Sequence, residues 1–213
     1  FQVALVGYTN AGKSTWFNIL ADESTYEKDI LFATLDPKTR QIQVNDGYHL
    51  IISDTVGFIQ KLPTTLIAAF KSTLEEARDA DLLLHVVDAS NEEYRTQYDT
   101  VNRIIGDLDM DKIPQAVIFN KKDLNEGPTP ASQLPNVYVS ARDEADEEKV
   151  RQLLIDQVEK QMEPYEETVP ADDADRLYFL KRHTLIHKLE FNEENESYEV
   201  EGYRRKAEEN GEK

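Results

Sequence analysis

Glycine, lysine and serine near the start of the chain have the spacing of a phosphate-binding loop. Gly7, Gly12, Lys13 and Ser14 match the pattern GxxxxGK[ST] between an apolar run and a helical pattern. Glycines let backbone N–H groups close around phosphates at a helix N-terminus, where the helix dipole also favours negative charge. We expect Lys13 to reach the β and γ phosphates in catalysis and the Ser14 hydroxyl to ligate Mg²⁺. The other loop residues expected at the nucleotide are Tyr8, Thr9, Asn10, Ala11 and Thr15. The alternative is a glycine-rich turn that binds nothing.

A second motif follows a predicted strand and carries an acidic residue. Asp54 is placed to hold the Mg²⁺ shell through water, as the Walker B acid does. Thr55, Val56 and Gly57 complete the motif and are expected at the nucleotide. Gly57 leaves room for a catalytic contact between its N–H and the γ-phosphate.

A segment without periodicity, residues 22–39, carries the candidate for a second hydroxyl on Mg²⁺. That candidate is Thr34, for which we also expect a role in catalysis. Loops of this kind are ordered by a γ-phosphate and released after hydrolysis. The alternative is an ordinary loop threonine. The residues of this segment expected at the nucleotide are Phe32, Ala33, Thr34, Leu35 and Asp36.

A third motif selects the base. Asn120, Lys121 and Asp123 follow a predicted strand and match NKxD. The Asp123 carboxylate can accept two hydrogen bonds from N1 and N2 of guanine, and adenine lacks that donor pair. Lys121 is expected to pack over the ring and Asn120 to brace the loop. Further base contacts, including a backbone N–H to guanine O6, are expected after the last strand from Ser140, Ala141 and Arg142. Together the motifs predict GTP or GDP as the ligand rather than ATP.

The residue after Gly57 bears on the rate of hydrolysis. Phe58 stands where small GTPases of the Ras type carry the glutamine that orients water, and a phenyl ring cannot do this. Intrinsic hydrolysis is therefore expected to be slow, with acceleration of about 10³ to 10⁵ from a partner or a cation. Asn10 favours the cation, because potassium-activated GTPases carry an asparagine here beside a bound K⁺. The alternative is an asparagine that only forms the turn.

The order of the predicted elements gives the fold class. Apolar runs and turn signals predict strands at residues 2–6, 41–44, 48–53, 82–87, 115–119 and 137–139. Helical patterns begin at residue 12 and cover residues 64–77, 92–108 and 145–162. Alternating strands and helices predict an α/β fold of the P-loop NTPase, Ras-like class, with a mostly parallel six-stranded sheet flanked by helices. The ligand is expected at the carboxyl ends of the strands.

The remaining chain is predicted to form a small α+β appendage. We expect a GTP-binding domain over residues 1–162, an acidic linker over 163–176 and a small C-terminal domain or tail over 177–213. A short helix at 175–183 and a hairpin of 184–191 with 198–204 are predicted there. This region is either a docking module or a structural cap.

Composition limits the partners and the location. The 213 residues carry a formal net charge of −18 and contain no cysteine, and no apolar run is long enough to cross a bilayer. A body this acidic repels nucleic-acid phosphates, so any contact with RNA must come from elsewhere. We expect a cytoplasmic, monomeric protein. Because the chain opens on Phe1 inside a strand-like run, we also expect that a segment precedes it.

Four stretches together resemble the HflX family of translation-associated GTPases. They are GYTNAGKST at 7–15, FATLD at 32–36, DTVGFI at 54–59 and LLLHVVDAS at 82–90, and the resemblance covers about residues 1–162. It implies GTP-dependent binding to the large ribosomal subunit, mainly through a domain that precedes the GTPase domain, and in some members ribosome splitting. Trp16 departs from the family, which more often has a smaller apolar residue there.

Two other readings of the sequence stay open. One is a binding module that holds GTP as a switch without relevant turnover, a reading that Phe58 favours. The other is a ribosome-assembly GTPase of the Era or Obg type, since these relatives share the nucleotide motifs.

Overall fold

The computed structural model describes residues 1–22, 39–45, 47–54 and 76–206. Most of the helix predicted at 64–77 lies outside these ranges. So do the predicted site residues Phe32, Ala33, Thr34, Leu35, Asp36, Thr55, Val56 and Gly57, together with Phe58. The chain divides into two compact units, one formed by Phe1–Ile42 and Leu50–Leu153 and the other by Gln43–His49 and Leu154–Lys213.

A six-stranded sheet organises the first unit. Its strands are β1 (Gln2–Val6), β2 (Thr39–Asn45), β3 (Tyr48–Asp54), β4 (Leu82–Asp88), β5 (Gln115–Asn120) and β6 (Asn136–Tyr138), in the spatial order β2-β3-β1-β4-β5-β6. β1 pairs in parallel with β3 and β4, β4 with β5, and β5 with β6. The predicted mostly parallel six-stranded sheet is confirmed. Parallel pairing brings the carboxyl ends of these strands to one edge, where the loops of the three motifs begin.

The central strands are apolar because both of their faces are covered. Val3, Ala4, Leu5 and Val6 of β1 are buried, and every residue from Leu82 to Val87 of β4 is buried. Such continuous apolar runs are typical of parallel strands inside an α/β sheet. The helices described here are α1 (Lys13–Asp22), α2 (Tyr94–Asp107) and α3 (Glu147–Gln161).

The start of α3 differs slightly from the prediction. Residues Glu144–Asp146 form a 3₁₀ turn, and the Asp143 side chain caps it by accepting a hydrogen bond from Ala145 N at 3.2 Å. An aspartate that bonds to a backbone N–H two residues ahead stabilises a tight turn before a helix. The α-helix therefore begins at Glu147 rather than at residue 145.

The second unit contains a three-stranded antiparallel sheet and one helix. β7 (Met162–Pro170), β8 (Leu185–Asn192) and β9 (Ser197–Arg205) lie in the order β7-β9-β8, and α4 spans Ala174–His183. The predicted helix and hairpin are present. Asp173 caps α4 by accepting a hydrogen bond from Arg176 N at 2.9 Å. Tyr165, Val169, Leu180 and Val200 form the buried core of this unit.

The structure differs from the linker predicted over residues 163–176. Most of that segment belongs to β7, which pairs with β9 from Met162↔Arg205 to Pro170↔Ser197. Buried side chains on β7 supply the reason, since Tyr165 and Val169 enter the core of the unit. Proline cannot donate a ladder hydrogen bond, but an edge strand tolerates Pro164 and Pro170.

The tip of the β2–β3 hairpin belongs to the second unit. The Asn45 side-chain amide donates a hydrogen bond to Ile186 O at 2.7 Å. Gly47 has a φ of 86°, and a Cβ at this position would lie 2.6 Å from Lys181 O. In the sequence, Asn45, Asp46 and Gly47 between the predicted strands at 41–44 and 48–53 predict a hairpin, but not the contacts of its tip with β8 and α4.

Candidate nucleotide-binding site

The phosphate-binding loop connects β1 to α1 and requires glycine at two positions. Gly7 has a φ of 147°, and a Cβ there would lie 2.2 Å from Val86 O. Gly12 has a φ of 106°, and a Cβ there would lie 2.2 Å from the Asn120 side-chain nitrogen. Any larger residue would collide with β4 or with the loop after β5. The loop is thus closed tightly against the edge of the sheet.

Lys13 is the first residue of α1 and is folded back over the loop. Its Nζ donates a hydrogen bond to Tyr8 O at 2.9 Å, and the residue is only 6% exposed. Burial lowers the pKa of the Lys13 ammonium, and the negative charge of Asp54 partly offsets this effect. An anion bound in the loop would restore the missing stabilisation of the ammonium.

Ser14 and Asp54 meet beside the start of α1. The Ser14 hydroxyl donates a hydrogen bond to Asp54 Oδ2 at 2.6 Å. Asp54 Oδ1 is buried and has no hydrogen-bond partner within the described part of the chain. A hydroxyl and a carboxylate with an unsatisfied oxygen form a donor set of the kind that Mg²⁺ prefers. These residues therefore fit a magnesium ion, which Ser14 and Asp54 would hold.

Asn120 joins three loops at the carboxyl edge of the sheet. It is the last residue of β5, and its side-chain nitrogen donates to Ala11 O at 2.9 Å. Its side-chain oxygen accepts from Ala141 N at 3.2 Å. Because Asn120 is 2% exposed, both bonds are shielded from water. This side chain fixes the phosphate loop relative to the loop after β6.

Asp123 presents an ionised carboxylate at the other end of the site. The Ser140 hydroxyl donates to Asp123 Oδ1 at 2.6 Å, and the Arg142 guanidinium lies 3.5 Å from Oδ2. The hydrogen bond from Ser140 lowers the pKa of Asp123, with smaller help from the charges of Arg142 and Lys121 and some opposition from burial. The carboxylate is therefore anionic at neutral pH and can accept hydrogen bonds from a base.

Lys121 has a left-handed backbone and a carboxylate partner that the motif analysis missed. Its φ is 64°, and its Nζ lies 2.6 Å from Asp88 Oδ2. Asp88 ends β4, and its other oxygen accepts hydrogen bonds from the backbone N–H and the hydroxyl of Ser90. The sequence did carry a signal for this residue: Asp88 is an acidic residue directly after the apolar run of β4, at the carboxyl end of a parallel strand, where ligands bind.

A cavity of about 410 Å³ lies along these loops. Its lining contains eleven residues that the sequence predicts at the nucleotide, and also Leu124, which was not predicted. The predicted members are Asn10, Gly12, Lys13, Ser14, Thr15, Asn120, Lys121, Asp123, Ser140, Ala141 and Arg142. Tyr8 and Ala11 instead support the lining residues through their carbonyl groups, and Asp54 reaches the site through Ser14.

Comparison with known proteins gives the family of the chain. Residues 2–121 match the model of a family described as 50S ribosome-binding GTPase. The protein "GTPase HflX" of Alkalihalophilus pseudofirmus is 45% identical over 95% of this chain and 48% of its own length. "GTPase HflX" of Escherichia coli is 40% identical over 81% of this chain and 42% of its own length. The chain thus spans about half the length of the curated relatives it matches.

Solved structures share the fold. A GTP-binding protein of Sulfolobus solfataricus in complex with GDP is 26% identical, with a TM-score of 0.62 over 75% of this chain and 52% of that chain. The FeoB G-domain of Methanococcus jannaschii, at 21% identity, has a TM-score of 0.53 over 74% of this chain and 97% of that chain. Among the described residues, no helix has the length and apolar character needed to cross a membrane. The matched relatives and the matched family model lead to one assignment: this chain belongs to the HflX family of GTPases.

Proposed function

We propose that this chain binds GTP and GDP and hydrolyses GTP, and that its GTP-bound state associates with the large ribosomal subunit. The observation that carries the proposal is the single cavity with Lys13 and Ser14 at one end and Asp123 at the other. A nucleoside triphosphate has the matching polarity, with phosphates at one end and a base with N–H donors at the other. The proposed GTP-binding domain covers residues 1–162, with a small C-terminal domain after it.

The phosphates are bound by the turn that starts α1. The first backbone N–H groups of a helix have no intrahelical partners, and at this turn they are proposed to donate to the phosphates. Lys13 exchanges its bond to Tyr8 O for the β and γ phosphates, which raises its lowered pKa again. Ser14 and Asp54 would hold the magnesium ion. When bound, Mg²⁺ neutralises charge on the β and γ phosphates.

The base is selected by Asp123. Its carboxylate accepts hydrogen bonds from N1 and N2 of guanine, while Ser140 and Arg142 keep it ionised. The Ala141 backbone N–H, which donates to Asn120 Oδ1 in the structure, is proposed to donate to guanine O6 when the nucleotide binds. ATP would leave the Asp123 carboxylate without its donors, and an unpaired polar group of this kind is what makes such sites strongly selective.

Hydrolysis is proposed to need outside help. Phe58 lacks a group that can orient water, and Thr34 and Gly57 are proposed to contact the Mg²⁺ and the γ-phosphate. Asn10 is exposed and lines the cavity, and its side chain is proposed to bind a monovalent cation. A turn-forming role for Asn10 fits its φ of 63°, because asparagine tolerates left-handed geometry.

The ribosomal partner is proposed from the family. The matched family is described as ribosome-binding, and the relatives are about twice as long as this chain. We propose that contact with the large subunit, and any ribosome-splitting role, depend mainly on the half of those proteins that this chain does not cover. The net charge of −18 supports this division, since it disfavours direct contact with RNA phosphates. A cytoplasmic location and a monomeric state are part of the same proposal.

Two measurements test this function. Calorimetric titration with GTP and Mg²⁺ should show binding, and ATP should bind at least about a hundredfold more weakly. Multiple-turnover phosphate release should be slow alone and faster in K⁺ than in Na⁺. Asn10→Gly keeps a residue that tolerates positive φ and should remove the cation dependence.

The outcomes separate the candidate functions. Failure of GTP to bind to folded protein would overturn the proposal. GTP binding without turnover, in either cation and with large ribosomal subunits added, would favour a binding module. Equal rates in K⁺ and Na⁺ would remove Asn10 from the mechanism and leave GTP hydrolysis intact.

A further inference from the structure

A buried carboxylate outside all three motifs lies behind the base-binding loops. The side chain of Asp146 is fully buried and accepts three hydrogen bonds. Its Oδ2 accepts from Lys122 Nζ at 2.6 Å and from Ser140 N at 2.8 Å. Its Oδ1 accepts from Lys149 Nζ at 2.6 Å. All of these residues lie in the first unit.

Two of the three donors come from the loops that carry the base-selective residues. Lys122 is the variable residue of the NKxD motif and directly precedes Asp123. Ser140 lies in the loop after β6, and its hydroxyl donates to Asp123 at 2.6 Å. Asp146 therefore binds both Lys122, which precedes Asp123 in the chain, and Ser140, whose hydroxyl donates to the Asp123 carboxylate. One carboxylate oxygen joins the two loops.

The carboxylate is held in its charged form. Burial alone would raise the pKa of Asp146, but the hydrogen bonds from Lys122, Lys149 and Ser140 outweigh burial and lower the pKa to about 2. A buried charge with every acceptor oxygen occupied is rigid, because any displacement exposes an uncompensated charge to a poorly solvated environment. Asp146 also ends the 3₁₀ turn that leads into α3, which anchors it to that helix.

We propose that Asp146 is a positioning residue for guanine selection: by holding Lys122 and Ser140 it fixes the Asp123 carboxylate and the Ala141 N–H at the spacing that guanine requires. This inference rests on the proposed binding of guanine nucleotides. It adds a residue that contacts no part of the nucleotide and still determines which base is preferred.

The two lysines provide a matched comparison. Both donate to Asp146 at 2.6 Å, but Lys122 lies on the base-binding loop and Lys149 lies on α3. Loss of either lysine removes one ion pair from the same carboxylate. Only the loss of Lys122 releases a loop next to Asp123. A purely structural role of Asp146 would make the two losses equivalent.

The experiment measures base discrimination in this chain and three variants, Lys122→Met, Lys149→Met and Asp146→Asn. Dissociation constants are measured with Mg²⁺ for GDP, for inosine diphosphate and for inorganic pyrophosphate. Inosine lacks the N2 donor, so the ratio of the GDP and inosine diphosphate constants reports the geometry of Asp123. Pyrophosphate reports the phosphate loop alone and shows whether a variant is folded there.

Lys122→Met should reduce the preference for GDP over inosine diphosphate by about tenfold, the size of one charged hydrogen bond, and leave pyrophosphate binding unchanged. Asp146→Asn should do the same or more, and Lys149→Met should retain the wild-type preference. Equal effects of the two lysine changes, or an unchanged preference in Lys122→Met, would overturn the proposal. The comparison of Lys122→Met with Lys149→Met tests the proposal even if Asp146→Asn does not fold. Absence of GDP binding to the wild-type chain would instead overturn the proposed function itself.

Discussion

At the scale of single residues, both ends of the cavity contain a non-glycine residue with a left-handed backbone. Asn10 in the phosphate loop has a φ of 63°, and Lys121 in the base loop has a φ of 64°. Asparagine tolerates this conformation, whereas for a residue such as lysine it costs on the order of 1 to 3 kcal/mol and persists only where surrounding contacts hold it. For Lys121 these contacts include the ion pair with Asp88, which holds its side chain at 2.6 Å. Local strain at Lys121 is consistent with a base loop that is organised before a ligand binds.

Asp123 offers the most direct test of base selection. In Asp123→Asn, an amide replaces one acceptor oxygen by an N–H donor, which repels the N2 amino group of guanine and suits the O2 carbonyl of xanthine. GDP affinity should fall about tenfold to a hundredfold, and xanthosine diphosphate should bind more tightly than GDP. Titration of both nucleotides measures the change.

A surface aspartate gives the control for this prediction. Asp99→Asn changes an exposed residue on α2 and should leave both affinities unchanged. Retention of the wild-type preference for GDP by Asp123→Asn would mean that another group recognises the base.

At the scale of elements, the site depends on direct contact between the phosphate loop and the end of β5. Gly12 ends the phosphate loop, and the Asn120 amide at the end of β5 lies directly against it. The phosphate-loop motif and the NKxD motif thus contact each other at Gly12 and Asn120. Neither loop can shift without disturbing the other.

Gly12→Ala should break this contact. The added Cβ would lie 2.2 Å from the Asn120 nitrogen, and the φ of 106° is unfavourable for alanine. GDP affinity should fall more than about tenfold, because the Asn120 bridge to Ala11 and Ala141 would be displaced. Calorimetric titration measures this loss.

A second glycine provides the matched control. Gly106 lies in α2, and a Cβ there would meet no atom within 4 Å. Gly106→Ala should leave GDP affinity unchanged and stabilise the fold by about 0.5 to 1 kcal/mol. Equal GDP affinities for the Gly12 and Gly106 variants would show that the contact with Asn120 is not needed for binding.

At the scale of the whole molecule, the excess of acidic residues makes the stability of the fold depend on which carboxylates are paired with cations. The net charge of −18 disfavours the compact state through self-repulsion. Asp146 is one of the carboxylates whose charge is compensated, since Lys122 and Lys149 pair with it inside the first unit. Its contribution to stability should therefore be visible in acid unfolding.

The sign of that contribution follows from the lowered pKa. The pKa of Asp146 lies at about 2 in the folded protein, below the ordinary value of 3.8, so its carboxylate stabilises the fold fully above pH 3.8. The stabilisation is lost as the pH falls from there toward 2. The difference in free energy of unfolding between wild type and Asp146→Asn should thus be larger at pH 5 than at pH 2.5.

Trp16 is the only tryptophan and is buried in the first unit, so its fluorescence can follow urea unfolding at both pH values. A difference that stays constant or grows on acidification would contradict the assigned ion pairs. Asp143→Asn is the control, because Asp143 lies 3.5 Å from Lys122 but is half exposed. It should change stability little at either pH.

The sequence by itself determined the α/β fold. In the described part of the chain it also identified Asp54, the residues of the phosphate loop and the residues after β5 and β6, which the structure brings to one edge of the sheet. It could do so because each motif expresses a local requirement: Gly7 and Gly12 permit a backbone that other residues avoid, and the apolar run of β4 is typical of a strand buried on both faces. Alternation of such runs with helical patterns then specifies a parallel sheet, whose carboxyl edge collects the loops.

Only the tertiary structure decided the contacts between residues distant in sequence. Lys122 and Asp146 are 24 positions apart, and Lys121 and Asp88 are 33 apart, so neither pairing leaves a signal in local spacing. The pairing of β7 with β9 likewise turned an acidic segment with two prolines into an edge strand. Local sequence determines which backbone conformations are allowed, whereas the partner of a charged or apolar side chain depends on which surfaces the fold brings together.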